Sequence, residues 1–220
     1  MNFDYAHKNT AAGERNTPTA QFNSPHISAR IQVLRGGAFE KDIPTADDET
    51  LNFLITYLAA QQPKKILELG TAVGISGAVM LDICPSAHVT TVERDENFYN
   101  AALKNFNDLG VKPRVTALLG DAGEVIQNLD DSYDFIFLDC AKVQYVKYLP
   151  RLKQLLRKGG TLIADDVLLF GWLTGETEVP KKRKMLYTHI KEYLDAVTTD
   201  TDLYTTVLNI GDGLALSVKK

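Results

Sequence analysis

The feature that most constrains the fold is an alternation of short apolar segments with helix-type segments over residues 64–164. Strands that alternate with helices in this way form a parallel, doubly wound sheet. Each of the five apolar segments ends in, or just before, an acidic residue; the five acids are Glu68, Glu93, Asp121, Asp139 and Asp165. Because ligands bind outside the carboxyl ends of parallel strands, we expect these acids at one rim of the sheet.

Apolar periodicity and turn residues place the individual elements. Strands are predicted at 66–69, 89–92, 115–118, 135–138, 161–164, 204–208 and 214–218. Helices are predicted at 28–35 (ended by Gly36-Gly37), from the acids at 47–49 to Gln62, from Ser76 onward, at 96–109, 123–129 and 145–157 (ended by Gly159-Gly160), and from Pro180 to about Ala196. The last two strands flank Gly211-Asp212-Gly213, a turn typical of an antiparallel hairpin. The expected fold class is α/β: a Rossmann-like, doubly wound, mostly parallel seven-stranded sheet with an antiparallel C-terminal hairpin.

The length of 220 residues fits one well-packed domain. Residues 1–25 are polar and aperiodic, so we expect a mobile N-terminal segment followed by a single domain at 26–220. No apolar run reaches the roughly 18 to 20 residues of a membrane span, and no signal or transit pattern is present, which favours a cytoplasmic protein that does not bind membranes. The net charge of −4 argues against a uniformly basic nucleic-acid binder but leaves a local basic face open.

Residues 64–80, KKILELGTAVGISGAVM, predict a strand, a tight loop and a helix. Gly70 and Gly74 would let backbone N–H groups approach a ligand, and the helix start beside Ser76 suits an anion such as a carboxylate. The loop lacks the third glycine of the dinucleotide fingerprint and the Gly-Lys-Ser/Thr of a phosphate loop, so it implies no triphosphate.

Glu68 and Glu93, at the ends of the first two predicted strands, indicate the kind of ligand. An acid after the second strand suits a ribose diol, and acids near the first loop suit a positively charged ligand. S-adenosylmethionine has a ribose, a carboxylate and a sulfonium, and no phosphate. The alternative is a plain Rossmann-like unit in which the acids only cap helices.

Asp139, Asp165 and Asp166 end two strands that should be neighbours. Three carboxylates this close repel one another unless a cation neutralises them, which indicates a hard divalent ion: Mg²⁺ preferably, or Mn²⁺ or Ca²⁺. Lys142 follows one turn after Asp139, where a metal could lower its pKa and let it act as a base. Alternatively, the acids only cap turns and the lysine is a solvated helix-start residue.

These residues resemble the metal-dependent class I O-methyltransferases, a family that includes catechol and caffeoyl-coenzyme A methyltransferases. The matching segments are LELGTAVGIS, VERDENFYNAALKNF, GDAGEVI, YDFIFLDCAK and GGTLIADDVLLFGWL. The C-terminal part, from KKRKMLYTHIKEYL to LNIGDGLALSVKK, is similar to one bacterial branch, the tRNA 5-hydroxyuridine methyltransferases, so the resemblance covers about residues 43–220.

The resemblance implies a role for each acid at the rim. For the cofactor, it implies that Glu68, Gly70 and Ser76 line the methionine end of S-adenosylmethionine, that Glu93 holds the ribose, and that Asp121 and Ala122 border the adenine. For the metal, it implies the ligands Asp139, Asp165 and Asp166, with Asp139 also beside the cofactor. Lys142 is the candidate base. The family commonly has Asn at the position of Asp166, and the extra negative charge here should tighten the binding of a divalent ion while making that ion a weaker Lewis acid. Family members of this branch are commonly dimeric, which implies a homodimer.

The substrate is not fixed by the metal site, because a catechol and 5-hydroxyuridine both offer two neighbouring oxygens. The crowded cations at 181–184 favour a phosphate-rich partner and hence tRNA, with Lys191, Arg30 and Arg35 as extensions, although a solvated basic turn is the plain alternative. Phe170 and Trp172 could stack on a planar ring or be ordinary core aromatics. We therefore expect O-methylation of tRNA 5-hydroxyuridine to 5-methoxyuridine; the alternatives are a small catechol-like phenol and a non-catalytic cofactor-binding module.

Overall fold

The computed structural model describes residues 25–220, so the predicted mobile segment at 1–25 lies outside the described residues apart from Pro25. The strands are β1 (Lys65–Leu69), β2 (His88–Glu93), β3 (Val115–Leu119), β4 (Tyr133–Leu138), β5 (Leu156–Ala164), β6 (Leu203–Leu208) and β7 (Leu214–Lys219). The helices are α1 (Ala29–Phe39), α2 (Asp48–Gln61), α3 (Ile75–Ile83), α4 (Glu96–Asp108), α5 (Ala122–Val125), α6 (Tyr145–Leu155) and α7 (Lys184–Thr199). Among these helices none is long and apolar enough to cross a membrane.

The seven strands form one sheet in the order β3-β2-β1-β4-β5-β7-β6. Strands β1 to β5 pair in parallel, whereas β7 is antiparallel to both β5 and β6. The predicted α/β fold with its antiparallel C-terminal hairpin is confirmed, and β6 lies at one edge of the sheet. Because β1 to β5 run in the same direction, the residues that follow them meet at one rim, as predicted.

Alternate strand residues face two different helical layers, as the two-residue period of a strand requires. Ile66, Phe137 and Ile163 pack in the core that includes residues of α2 and α3. Leu67 and Ile136 pack in the core that includes residues of α6 and α7. Both faces of the central strands are therefore buried, which is why these strands read as continuous apolar runs in the sequence.

The structure corrects three predicted boundaries. Helix α1 does not end at Gly36-Gly37 but continues to Phe39, because Ala38 remains buried and extends the apolar face past the glycines. Strand β5 begins at Leu156, which pairs with Tyr133, so the predicted end of the helix and its Gly-Gly stop belong to the strand. Pro180 precedes a single 3-10 turn at Lys181–Arg183, and the helix proper starts only at Lys184.

Candidate active site

The loop between β1 and α3, residues 70–74 (the Gly70 loop), is shaped by its two glycines. Gly70 has φ +106°, and a Cβ there would lie 2.0 Å from the carbonyl oxygen of Asp139. Gly74 has φ +85°, and its Cβ would lie 2.7 Å from the ring of Phe106. Only glycine lets the end of β1 run against the end of β4, so the loop brings Asp139 beside the start of α3.

Glu68 is fully buried at the end of β1 and accepts hydrogen bonds from two hydroxyl groups. Ser76 Oγ lies 2.5 Å from its Oε1, and Thr91 Oγ1 lies 2.6 Å from its Oε2. Burial raises the pKa of Glu68 to about 7, although these two hydrogen bonds lower it. The predicted cofactor residues Glu68 and Ser76 are therefore in direct contact with each other.

Glu93 ties the end of β2 to the Gly70 loop. Its Oε2 accepts from the backbone N–H of Ala72 at 2.8 Å, and its Oε1 accepts from the backbone N–H groups of Arg94 and Asp95 at 2.9 Å each. The carboxylate thus has a fixed orientation at the rim, next to the loop that the sequence assigned to the cofactor.

Asp121 and Ala122 follow β3 at the same rim. Asp121 caps α5, with its Oδ1 accepting from the backbone N–H of Gly123 at 2.8 Å. A Cβ at Gly123 would lie 2.9 Å from the ring of Tyr148, so the backbone here lies close against α6. The turn that the resemblance places beside the adenine is therefore capped by Asp121 and packed closely against α6.

Asp139, Asp165 and Asp166, the carboxylate cluster, come together as predicted. One carboxylate oxygen from each lies within 4.8 Å of the others. The backbone N–H of Asp139 bonds to Leu69 O, and that of Asp165 bonds to Leu138 O, so each strand end is held by the neighbouring strand. The cluster therefore sits on backbone that the parallel sheet holds in place.

Lys142 neutralises part of this negative charge. Its Nζ lies 3.1 Å from Asp139 and 2.8 Å from Asp166, with 16% of the side chain exposed. Burial lowers the Lys142 pKa, but the negative charges of the carboxylate cluster outweigh burial and raise it well above its usual value. Lys142 is thus an ammonium group in this state, and a role as base depends on its carboxylate partners being engaged elsewhere.

Two threonines of the site were not identified from the sequence. Thr45 lines a cleft together with Gly70, Ser76 and Asp139, and its buried hydroxyl has no hydrogen-bond partner among residues 25–220. Thr50 is fully buried on α2, with its hydroxyl 3.4 Å from Asp165. The only sequence signal was their position near a predicted helix start, which does not reveal that this helix start meets the rim.

The segment after the carboxylate cluster adopts unusual backbone angles. Asp166, Leu169 and Phe170 have φ of 57°, 49° and 56°, and such conformations cost of order 1–3 kcal/mol each for residues other than glycine. The rings of Phe170 and Trp172 lie 5.5 Å apart, edge to face, and both side chains are half-buried. Strain of this kind is common at ligand sites, and stacking of a substrate ring on these aromatics stays a prediction.

The cations proposed to face a phosphate backbone fall into two groups. Lys181, Lys182, Arg183 and Lys184, the basic cluster, form no ion pair within 4 Å with another described residue. Arg35 is instead buried and paired with Asp48, Arg30 donates to Asp108 O, and Lys191 lies 2.7 Å from Asp195. The three predicted extensions of the basic cluster are therefore engaged within the protein itself.

Comparison with known proteins gives the family. The sequence model of a family described as O-methyltransferase matches residues 33–220. A caffeoyl-CoA O-methyltransferase of Stellaria longipes is 30% identical over 165 residues, covering 71% of this chain and 68% of that protein. Tapetum-specific methyltransferase 1 of Arabidopsis thaliana is 28% identical over 187 residues, covering 82% of this chain and 79% of that protein.

Solved structures agree with the fold. A candidate caffeoyl-CoA O-methyltransferase from Staphylococcus aureus is similar with a TM-score of 0.80 and 34% identity, covering 88% of this chain and 93% of that one. The O-methyltransferase TomG of Streptomyces achromogenes, solved in complex with S-adenosylmethionine, has a TM-score of 0.78 and 21% identity over 89% and 92% of the two chains. The match over residues 33–220 and the plant relative together establish that this chain belongs to the O-methyltransferase family, as an S-adenosylmethionine-dependent enzyme of the caffeoyl-CoA O-methyltransferase type.

Proposed function

We propose that this enzyme transfers the methyl group of S-adenosylmethionine to one of two neighbouring oxygens of its substrate, with a divalent cation held by the carboxylate cluster. The observation that carries this proposal is the position of the cluster, which shares Asp139 with the cleft beside the Gly70 loop. Mg²⁺ is the preferred ion, with Mn²⁺ and Ca²⁺ as alternatives, because all three favour oxygen ligands.

The residues of the cluster fit such an ion in both charge and donor type. Three carboxylates lie together with a single ammonium group, that of Lys142, so a divalent cation would offset the excess of negative charge. The donors are carboxylate oxygens, with no sulfur or imidazole among the three. A hard ion is therefore favoured over zinc.

The chain contributes mainly by positioning. Asp139 belongs to both the cleft and the cluster, so it fixes the distance between the cofactor side and the substrate side of the site. Asp165 is oriented by the backbone N–H of Asp166 at 2.8 Å and faces the hydroxyl of Thr50. A bound divalent cation would stabilise negative charge on the substrate oxygen. Lys142 is the candidate for taking up the substrate's proton, because its Nζ lies against the cluster. It could do so only after releasing its own proton to solvent, which would be favoured when Asp139 and Asp166 hold a cation.

Binding of Mn²⁺, followed by electron paramagnetic resonance, tests the assignment of the cluster. We expect one ion per chain in the wild type and loss of binding in Asp139→Ala and Asp165→Ala. The control is Asp131→Ala, which removes an exposed acid that pairs with Lys65 at the opposite end of β1 and should leave binding unchanged. Undiminished Mn²⁺ binding in Asp165→Ala would refute the proposed metal site.

For the substrate we favour 5-hydroxyuridine in tRNA over a small catechol-like phenol. The observation that supports this choice is the basic cluster at the start of α7, a helix that packs against the turn at Lys142–Gln144. Lys181, Lys182 and Lys184 are exposed, and within residues 25–220 the cluster has no acidic partner. Cations without acidic partners are available to bind phosphates. Because Arg30, Arg35 and Lys191 are already engaged, the proposed tRNA contact is confined to the start of α7.

Kinetics with two substrates separate these alternatives. Changing Lys181, Lys182 and Lys184 to Gln should raise the KM for 5-hydroxyuridine-containing tRNA and flatten its salt dependence, while turnover of a catechol changes little. The matched control changes three exposed lysines at the opposite ends of the strands, Lys64, Lys112 and Lys158, to Gln. Equal losses on both substrates would assign the basic cluster a structural role, and equal effects of the two triple variants would argue against tRNA binding there.

A further inference from the structure

A buried chain of hydroxyl groups connects Glu68 to the cofactor cleft. Thr91 Oγ1 lies 2.6 Å from Glu68 Oε2 and 2.5 Å from Thr71 Oγ1. Thr91 is completely buried and Thr71 is 2% exposed, yet Thr71 belongs to the lining of the cleft. The chain therefore runs from a carboxylate without solvent contact to the wall of the cofactor cleft.

The hydrogens of this chain have a defined direction when Glu68 is ionised. A threonine hydroxyl has a single hydrogen to donate, and a carboxylate can only accept. Thr91 must then donate to Glu68, and Thr71 must donate to Thr91, which leaves the Thr71 oxygen as an acceptor toward the cleft. When Glu68 is protonated, the carboxyl group can donate to Thr91 and the chain can reverse.

Glu68 needs these hydroxyl groups to remain ionised, because its other surroundings favour the protonated carboxyl group. The charged groups whose fields act on it are Asp139 and Glu93, both acidic, and both raise its pKa together with burial. Opposing them are the hydrogen bonds from Ser76 on α3 and from Thr91 on β2. Loss of the Thr91 hydroxyl would leave the ionised carboxylate with one side-chain donor fewer in a fully buried position.

We propose that Thr91, relayed to the cleft through Thr71, is a positioning residue that keeps Glu68 ionised and oriented toward the positively charged methionine end of S-adenosylmethionine. This inference rests on the proposed role of Glu68 in the cofactor site. It predicts that cofactor binding and the proton of Glu68 are linked, because a cationic ligand favours the ionised carboxylate. Cofactor affinity should therefore rise as the pH increases through about 7, the pKa of Glu68.

Calorimetric titration with S-adenosylmethionine between pH 6 and 9, in the presence of a chelator, tests the linkage. Thr91→Val keeps the shape of the side chain and removes the donor, so the midpoint of the pH profile should move up by about one pH unit and affinity at pH 7 should fall about fivefold. Affinity should largely recover at pH 9. Thr91→Ser should restore the wild-type profile, and Glu68→Gln supplies the background due to the cofactor's own amine.

The matched control is Thr90→Val, one position away on the same strand. Thr90 is also buried, but successive residues of a strand face opposite sides of the sheet, so its side chain lies away from Glu68. Its profile should not shift. If Thr91→Val shows an unshifted profile while Glu68→Gln has lower cofactor affinity, Glu68 belongs to the cofactor site but the proposed relay is wrong. If Glu68→Gln binds the cofactor with unchanged affinity, Glu68 is not part of that site and the relay falls with it.

Discussion

Asp166 combines a left-handed backbone conformation with a charged contact to Lys142. Its φ is 57°, a region that Asn and Asp enter more readily than most residues, and its carboxylate lies 2.8 Å from Lys142 Nζ. Asp166→Asn should keep the fold and one oxygen ligand but lose the ion pair, so Mn²⁺ affinity should fall less than in Asp165→Ala. Calorimetric titration compares the two, and an equal loss would contradict this ranking.

Tyr145 and Tyr193 allow a comparison of how much a buried hydroxyl contributes to the free energy of unfolding with and without a hydrogen-bond partner. Their rings lie 5.4 Å apart at 71°, and both are fully buried. Tyr145 reaches the carbonyl oxygens of Leu138 at 2.9 Å and Asp165 at 3.3 Å, whereas the Tyr193 hydroxyl has no partner among the described residues. In urea unfolding, Tyr145→Phe should lose about 1 kcal/mol and Tyr193→Phe should lose nothing or gain stability. Similar losses in both would contradict the assignment.

The raised pKa of Glu68 has a consequence for stability that can be measured without any ligand. Its pKa is about 7 in the folded protein against a usual 4.5, so the folded state binds this proton more tightly than the unfolded state. The resulting stabilisation is complete below about pH 4.5 and is lost as the pH rises through about 7. The free energy of unfolding of Glu68→Gln, minus that of the wild type, should therefore increase from pH 5 to pH 8. A constant difference would show that Glu68 does not titrate in this range.

At the scale of elements, apolar periodicity predicted most of the sheet. Strands β1 to β4 begin and end within two residues of the predicted bounds, because each is an apolar run closed by a charged or turn residue. Strand β5 could not be delimited in this way. Leu155 and Leu156 continue the helical spacing of α6, and only pairing of Leu156 with Tyr133 draws the following residues into the sheet.

Helix α1 contains two glycines that its own geometry does not require. A Cβ at Gly36 or Gly37 would meet nothing within 4 Å of the described residues, and neither glycine has a positive φ. Gly36→Ala and Gly37→Ala should each raise the free energy of unfolding by about 0.5–1 kcal/mol, because alanine loses less backbone entropy in a helix. Gly74→Ala is the opposite case: φ +85° and the ring of Phe106 should make it destabilising. Destabilisation in all three variants would contradict the account of α1.

At the scale of the whole molecule, the position of the site could be predicted because it follows from topology. Parallel strands bring their carboxyl ends to one rim, so the acids that follow them had to converge. The contributions of Thr45 and Thr50 could not be predicted, because only tertiary packing brings the segment before α2 to the cleft and the first turn of α2 to Asp165. The Lys142–Asp166 pair likewise depends on the left-handed backbone at Asp166, which no local pattern specified.

The requirement for a divalent cation is tested most directly by methyl transfer from labelled S-adenosylmethionine in excess EDTA. Catechol and 5-hydroxyuridine-containing tRNA are each offered as the acceptor in separate assays, and the same preparation is assayed again after Mg²⁺ is restored. We expect transfer to be lost in chelator and recovered with Mg²⁺, and to be absent at any Mg²⁺ concentration in Asp139→Ala and Asp165→Ala. Asp131→Ala should behave as the wild type. Transfer at the full rate in excess EDTA would contradict the proposed role of the carboxylate cluster.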